Sequence, residues 1–330
     1  MKTQLVLLFW GCLVVAACRH EALIEPSEKP LLFVPSGFPQ PDFPSDNGFT
    51  AERFALGKRL FYDVVMSVDS SISCASCHSL AHAFSDTVAF SVGASGAAGT
   101  RNAPTLANVA YLPYFTREGG VPTLEMQVGV PIQEHNEFNF NVLLIAERLK
   151  TDSIYLQMSQ AAYSRLPDPF VITRSLACFE RCLISGESRF DTDELTKSER
   201  RGKVLFFSAR THCANCHGGF NFTNYAFENN GLYENYADPG RFRLTGIETD
   251  RARFKVPTLR NIALTAPYMH DGALPTLQAV VAHYNSGGKA HPNKSSLVQP
   301  LALSAQERAD LVAFLGSLTD EKFIANPNFR

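Results

Sequence analysis

Two short motifs of cysteine and histidine carry the clearest chemical signal in the sequence. Each has two cysteines separated by two residues and followed directly by a histidine, at Cys74–His78 and again at Cys213–His217. Two thiols at this spacing can add to the vinyl groups of a haem, and the adjacent imidazole can bind its iron from one face. A zinc site or a thioredoxin-like redox pair would account for the thiols, but neither needs a histidine after each pair. The sequence therefore predicts two covalently bound haem c groups, with the attachment and iron-binding residues Cys74, Cys77, His78, Cys213, Cys216 and His217.

The sequence around these motifs forms an internal repeat. Gly57–Phe61 precedes the first motif and Ala103–Asn108 follows it, whereas Gly202–Phe206 precedes the second and Val256–Asn261 follows it. Such self-similarity indicates duplication of one structural unit. Helical spacing dominates wherever apolar residues show a period, and alternating strand patterns are nearly absent. We expect an all-α protein of two cytochrome c-like haem domains, arising from an internal duplication, with long irregular loops.

The first residues predict export. Lys2 opens a short positive region, an apolar run extends to Val15, and small residues lead to Cys18. The apolar run is too short to span a bilayer, so residues 1–17 are predicted to be a signal peptide of the lipoprotein type. Cys18 would then be lipidated, and simple cleavage near Ala17 is the alternative. We expect a periplasmic protein anchored to a bacterial membrane through this lipid.

Length, composition and charge limit the number of domains and the kinds of ligand that the chain can have. The 330 residues are 45% hydrophobic and 19% charged, which is ordinary for two globular domains. A formal charge of −2 gives no field for binding nucleic acid. Residues 18–49 are rich in Pro, Ser and Glu and are expected to form a tether, with structure starting near Thr50. The two haem domains are then predicted to cover residues 50–190 and 191–330.

Cys178 and Cys182 are not used by the haem motifs. They lie four residues apart in Val171–Ser185, which is predicted to be helical, so their side chains run parallel. We expect them to be small buried apolar residues, with a disulfide or a functional pair as the alternative.

Over residues 50–318 the sequence resembles the di-haem cytochrome c peroxidases and their MauG-type relatives, which oxidise residues of another protein. Leu124–Glu137 reproduces the family's spacing of a Gln, a Pro four residues later and a Glu ten residues after the Gln. The resemblance makes the first haem the peroxide site and the second the electron-transfer site. It implies that Glu137 moves a proton between the two oxygens of peroxide, that Gln127 hydrogen-bonds the peroxide, and that Pro131 narrows the pocket.

Other residues near the first haem qualify this assignment. A Glu and a Gln in a polar stretch are, from the residues alone, more typical of solvated loops. Glu134 and His135 are rivals for the acid–base role but lack the matching spacing. Many family peroxidases carry a blocking His on the loop that corresponds to Phe90–Gly99, which here contains none. The first iron is therefore expected to be open in the oxidised protein, and His82 is expected to be a packing or surface residue.

For the second haem, the resemblance implies a far-side iron ligand that is Met in the peroxidases and Tyr in the MauG-type enzymes. The family's spacing after Pro267–Gly272 leads to Tyr284. Met269 and His283 are the alternatives, and Tyr284 could also be an aromatic core residue. The choice matters because a thioether raises the haem potential, whereas a phenolate lowers it.

A calcium ion between the haems is also implied by the resemblance. The family binds it with an Asn side chain and the carbonyls of a Thr-x-Pro sequence, which match Asn102, Thr265 and Pro267 here. These are oxygen donors of the kind that suit a hard cation.

One departure from the family concerns the residue between the haems. The family has Trp-Asp-Gly where this chain has Arg117–Gly119, and the chain's one tryptophan, Trp10, lies in the predicted signal peptide. Electrons would then pass by Tyr114, Phe115 or the haem edges.

The leading functional prediction is a cytochrome c peroxidase. Hydrogen peroxide would be reduced at the first haem by electrons that a small cytochrome c or cupredoxin delivers to the second. A MauG-type oxidase of a partner protein and a non-catalytic di-haem electron carrier are the alternatives. The resemblance also allows a homodimer.

Overall fold

The computed structural model describes residues 30–330, so the predicted signal peptide and Cys18 lie outside the described residues. Within this range the chain is predominantly helical and has a single two-stranded antiparallel sheet, which confirms the expected all-α class. None of the helices within residues 30–330 is both long and apolar enough to cross a membrane. The α-helices are α1 Ala51–Tyr62, α2 Cys74–Cys77, α3 Leu124–Gln127, α4 Gly129–Gln133, α5 Val142–Lys150, α6 Ser153–Tyr163, α7 Pro169–Arg181, α8 Lys197–Phe206, α9 Cys213–Cys216, α10 Phe242–Thr245, α11 Leu277–Ser286, α12 Ala305–Gly316 and α13 Glu321–Ile324. The strands are β1 Phe227–Glu228 and β2 Phe254–Lys255.

The same helix crossing occurs once in each half of the molecule. In the first half α1 packs on α7, and a Cβ added at Gly57 would lie 1.9 Å from the Ser175 carbonyl oxygen. In the second half α8 packs on α12, and a Cβ added at Gly202 would lie 2.0 Å from the Asp310 carbonyl oxygen. These glycines hold the same place in the repeated sequence. The duplication read from the sequence is therefore a duplication of helix packing.

Helix ends and faces follow the local sequence in most places. Reciprocal capping boxes join Thr196 to Glu199 before α8 and Ser304 to Glu307 before α12, as their spacing predicts. In α5, however, Leu143 is 61% exposed, and the buried face is that of Ile145, Ala146 and Leu149. The spacing of Leu143, Ala146 and Leu149 predicts that these residues share the apolar face, and the structure buries Ala146 and Leu149 but not Leu143.

The segment predicted to be a tether packs on the folded body in its described part. The Asn47 side chain is fully buried and donates to Glu125 Oε1 at 2.8 Å and to the Arg174 carbonyl at 3.0 Å. The Phe38 ring lies 4.8 Å from that of Phe220 in the second half. Residues 30–49 therefore belong to the folded body, because the buried Asn47 anchors them to the first half and the half-buried Phe38 anchors them to the second.

The C-terminal residues return to the first half of the molecule. Phe323 and Phe329 pack against Phe84 with ring centroids 5.8 and 6.2 Å apart, and the Tyr62 hydroxyl donates to the Phe329 carbonyl. All three phenylalanines belong to the hydrophobic core built around α1 and α7. The last residues of the predicted second domain, 191–330, thus pack in the core of the first domain.

Candidate functional site

The histidines of the two haem motifs are held in the same way. His78 Nδ1 lies 2.9 Å from the Phe84 carbonyl oxygen, and His217 Nδ1 lies 3.1 Å from that of Phe222. Because a carbonyl only accepts hydrogen bonds, Nδ1 carries the proton and Nε2 keeps the lone pair that can bind iron. Burial lowers the pKa of both imidazoles, which favours the neutral form that binds metals.

The cysteines of each motif lie on a single helical turn. The His78 N–H donates to the Cys74 carbonyl at 2.9 Å, and the His217 N–H donates to the Cys213 carbonyl at 2.8 Å. Such a turn brings the first and last residues of each motif's cysteine pair to one side of the helix. Burial raises the pKa of the Cys74 and Cys213 thiols, so both are neutral in the protein alone. Two thiols and one free imidazole nitrogen at each motif fit a covalently attached haem c.

The stretch predicted to face the first haem contains a buried acceptor without a partner. α3 ends at Gln127, whose Oε1 is buried and accepts no hydrogen bond from the described protein atoms. Leaving a buried acceptor unpaired costs about 1–3 kcal/mol, so such atoms are rare unless a ligand supplies the donor. Pro131 lies on α4, and its carbonyl accepts the Phe138 N–H at 3.1 Å. This bond folds the chain back and brings Glu137 beside α4.

Phe138, the residue after Glu137, packs in the same core as Cys74 and so brings Glu137 towards the first motif. Desolvation raises the pKa of the Cys74 and Cys77 thiols, and the charge of Glu137 adds to this effect. Its side chain is exposed, yet partial desolvation by the surrounding chain, with the charge of Glu134, raises its pKa above the usual range. Glu134 and His135 are also exposed, and His135 Nδ1 lies 3.2 Å from Asn139 Oδ1. Among the three candidates, Glu137 combines proximity to the motif with a raised pKa, as an acid–base residue requires.

The loop Phe90–Gly99 supports the backbone of Glu137. The Ala94 N–H donates to the Glu137 carbonyl at 2.8 Å. A Cβ added at Gly93 would lie 2.2 Å from the Asn136 carbonyl oxygen and 2.6 Å from that of Glu137, so only glycine fits there. Where many family peroxidases carry a blocking histidine, this chain has a loop that fixes the position of the predicted acid–base residue.

Glu180 is a further ionisable residue near the first motif, and the sequence analysis did not single it out. It is buried on α7, and desolvation raises its pKa to about 8. Its charge raises the pKa of the Cys74 thiol, which places it near that cysteine. The sequence could have identified Glu180 through its position on the same helix face as the apolar residues Leu176 and Phe179. His82, four residues after the motif histidine, is half-buried, in line with a packing role.

Asn230 contacts all three candidate ligands of the second haem. Its Nδ2 donates to Met269 Sδ at 3.1 Å, its carbonyl oxygen lies 3.0 Å from His283 Nε2, and it hydrogen-bonds the Tyr284 hydroxyl. Tyr284 differs from the other two because the thiols of the second motif also influence it. Desolvation, with smaller contributions from Cys213 and other neighbours, raises its pKa to about 12. The neighbouring Val280 and Val281 of α11 pack in the same core as Cys213, and Tyr284 stays the predicted ligand of the second haem.

Asn102, one of the three residues predicted to bind calcium, already pairs with a charged side chain. The Asn102 carbonyl accepts hydrogen bonds from Arg117 Nη2 at 2.6 Å and Nε at 3.2 Å, and Asn102 Oδ1 lies 3.3 Å from Nη2. Thr265 and Pro267 lie on the neighbouring segment, whose His270 carbonyl accepts the Asn102 N–H at 2.9 Å. Burial lowers the pKa of Arg117 to about 10, so the guanidinium is still charged at neutral pH. A divalent cation on Asn102 would meet this positive charge, so Asn102 as placed here does not fit calcium.

Of the two aromatic residues suggested for electron passage, one reaches the other domain. The Tyr114 ring stacks on Phe227, with centroids 5.2 Å apart and an interplanar angle of 22°, and its hydroxyl donates to the Tyr225 carbonyl at 2.7 Å. Phe115 is instead buried in a small apolar cluster with residues of the first half. Tyr114 therefore bridges the domains in the chain segment where the family has its tryptophan.

Within residues 30–330, the two cysteines outside the haem motifs are unpaired and buried, as expected. Cys178 is 0% and Cys182 is 1% exposed, and the Cys182 thiol donates to the Cys178 carbonyl at 3.2 Å. They contribute to packing between α7 and the first core.

Comparisons with known proteins agree with this architecture. Residues 51–201 match the family description "Di-haem cytochrome c peroxidase", and residues 199–319 match "Cytochrome c". The methylamine utilization protein MauG of Methylorubrum extorquens is 35% identical over 326 residues, covering 94% of this chain and 92% of that protein. The cytochrome-c peroxidase IdrP1 of Denitromonas iodatirespirans is 32% identical over 349 residues, covering 93% and 91%. A solved MauG-like protein associated with microbial copper homeostasis aligns with a TM-score of 0.86 at 35% identity, covering 90% and 97%.

Two haem-attachment motifs on a duplicated helical frame, each with an imidazole nitrogen left free for iron, define a di-haem c-type cytochrome. The similarity extends over nearly the whole chain and includes both peroxidases and MauG proteins. The chain belongs to the di-haem cytochrome c peroxidase and MauG family.

Proposed function

We propose that the protein is a periplasmic cytochrome c peroxidase that reduces hydrogen peroxide to water. Two electrons and two protons convert one peroxide into two water molecules, and a small cytochrome c or cupredoxin would donate the electrons one at a time. The observation that carries this proposal is that Leu124–Glu137 supplies both a buried acceptor without a partner, Gln127 Oε1, and a carboxyl of raised pKa, Glu137. An electron carrier would have no use for such a pair.

The roles of the side chains follow from their chemistry. His78 would hold the haem that supplies the iron for peroxide reduction, and His217 would hold the haem that supplies the path for electrons. Gln127 accepts a hydrogen bond from peroxide and orients it. Glu137 takes the proton from one peroxide oxygen and delivers it to the other, so that water can leave. The loop Phe90–Gly99 keeps the Glu137 backbone in place throughout.

Steady-state oxidation of a reduced cytochrome c by peroxide tests this assignment. Glu137→Gln should lower kcat by about 10²–10⁴-fold, the usual contribution of a general acid–base residue. Glu134→Gln is the matched control, since it removes an exposed carboxylate three residues away and should leave kcat nearly unchanged. Both variants should keep their haem absorbance. Full activity of Glu137→Gln, or equal losses in both variants, would refute the proposed role of Glu137.

The second candidate is an oxidase that acts on a partner protein. The position of Tyr284 at the second motif favours it, because Tyr is the ligand that the resemblance assigns to MauG-type enzymes. Arg117, in place of the tryptophan between the haems, weighs against it. Rapid peroxide consumption without oxidation of any small electron donor, together with oxidation of residues in a co-purified protein, would favour this candidate.

A further inference from the structure

The two halves of the molecule are joined by fixed charges. Arg101, from the first half, donates to both carboxylate oxygens of Asp238 in the second half at 2.6 and 2.9 Å, and it also pairs with Glu118. Arg241, from the second half, donates to the Glu118 carbonyl at 2.9 Å. Reciprocal contacts of this kind, with partly buried partners, hold the two surfaces in one register.

Arg117 lies at the centre of this interface. Its backbone carbonyl accepts the Lys255 N–H at 2.7 Å, which ties it to β2 of the second half. Its guanidinium holds both oxygens of Asn102. Asn102 in turn donates its backbone N–H to the His270 carbonyl at 2.9 Å and its side-chain amide to the Val88 carbonyl at 3.1 Å. One side chain thus organises the contact between the segment after the first haem motif and the segment before α11.

We propose that the guanidinium of Arg117 is a built-in cation that takes the place of calcium between the domains, so that this chain joins its two halves without a metal ion. Both cations are positive groups that bind neutral oxygens. Asn102 Oδ1, the predicted calcium ligand, lies 3.3 Å from Arg117 Nη2, and the adjacent Asn102 carbonyl accepts from the same guanidinium. The nearby carboxylates of Asp271, Asp238 and Glu118 balance its charge. A covalently attached cation cannot be lost to a chelator, in contrast to a bound ion.

The holoprotein itself provides the first test. After treatment with EGTA and desalting, elemental analysis should find far less than one calcium per protein, and the two haem irons give the internal reference. The melting temperature and the haem absorbance should be the same in EGTA and in millimolar CaCl₂. One tightly bound calcium per protein, or a melting temperature that falls in EGTA, would overturn the proposal whatever the activity of the enzyme.

Variants of Arg117 provide the second test. Arg117→Gln should lower the melting temperature in EGTA, and added calcium should restore part of it because Asn102 Oδ1 is then available. Arg117→Lys keeps the positive charge, and its melting temperature should not change when calcium is added. Arg251→Gln, which removes an exposed pair with Glu248, is the control and should change neither property. If Arg117→Gln has the same melting temperature as the wild type, the proposal is wrong. If this variant does not accumulate, the calcium content of the wild-type protein is the test of the proposal.

Discussion

At the scale of single residues, the two haem motifs hold their histidines in the same way but differ in the residue predicted to act on the opposite face of each haem. Both histidines donate Nδ1–H to a phenylalanine carbonyl, so both leave the same nitrogen for iron. The first motif then has an acid–base candidate, Glu137, whereas the second has Tyr284. This asymmetry underlies the proposed division of labour, because proton transfer is needed where peroxide reacts and not where electrons enter.

Peroxide turnover should depend on pH through Glu137. Its pKa in the folded protein is raised above 4.5, and the carboxylate is the form that accepts the peroxide proton. Below the raised pKa the group is protonated and kcat/KM should fall, and as the pH rises through that value kcat/KM should increase to a plateau. Measuring kcat/KM from about pH 4 to pH 8 tests for this rise. If kcat/KM of Glu137→Gln rises over the same pH range, another group controls the rate.

The ligand of the second haem can be identified by comparing two substitutions. Tyr284→Phe removes the phenolic oxygen and should change the absorbance of the second haem and raise its reduction potential. Met269→Leu should leave both properties nearly unchanged. Spectroelectrochemical titration of the two variants distinguishes the candidates, and a large effect of Met269→Leu with none of Tyr284→Phe would reverse the assignment.

At the scale of helices and loops, glycines permit two kinds of close approach that matter for the site. Gly57 and Gly202 let paired helices cross at backbone contact in each half, and these helices form the cores beside the haem motifs. Gly93 lets the loop Phe90–Gly99 touch the backbone of Glu137. The first kind of contact supports stability, and the second supports the geometry of the acid–base residue.

Gly202→Ala should destabilise the second half. The added Cβ would lie 2.0 Å from the Asp310 carbonyl, so α8 and α12 must move apart at a cost of about 1–3 kcal/mol. Gly316→Ala, at the end of α12, is the control because a Cβ there meets nothing within 4 Å. Thermal unfolding of the holoproteins should show a melting temperature lower by several degrees for Gly202→Ala alone. Equal melting temperatures would show that the crossing is not as tight as described.

Gly93→Ala should impair turnover without loss of haem. Its Cβ would meet the backbone oxygens of Asn136 and Glu137, so the loop or the carboxylate must shift, and a shift near 1 Å can cost about 10²-fold in rate. Gly96→Ala is a less informative control because Gly96 has φ +76°, whereas Gly99→Ala meets only atoms at 3.6 Å or beyond. We therefore expect kcat to fall for Gly93→Ala and not for Gly99→Ala, with unchanged haem absorbance in both. Unchanged kcat in Gly93→Ala would argue against the supporting role of this loop.

The sequence predicted best what depends on local spacing. The haem motifs, the repeat and the capping boxes at Thr196 and Ser304 need only a few neighbouring residues to be recognised. The contacts of Arg117 with Asn102 and the burial of Glu180 depend on segments that are distant in the chain. Their partners are set by tertiary packing, which spacing along a single sequence does not encode.

At the scale of the whole molecule, the two halves form one body with shared parts. Residues 30–49 contact both halves, and Phe323 and Phe329 enter the first core from the C-terminal end of the chain. The interface between the halves contains the Arg101–Asp238 pair and the stacked rings of Tyr114 and Phe227. Such an arrangement keeps the separation of the two haem motifs fixed, as electron transfer between them requires.

Rapid mixing of the holoprotein with hydrogen peroxide and a reduced small cytochrome c tests the central claim most directly. The reaction should oxidise two donor molecules for each peroxide consumed, with a fast absorbance change of the first haem before the donor reacts. Glu137→Gln should lose the fast change while keeping both haems. Absence of any reaction with peroxide, or consumption of peroxide that leaves the donor reduced, would contradict the assignment of this protein as a cytochrome c peroxidase.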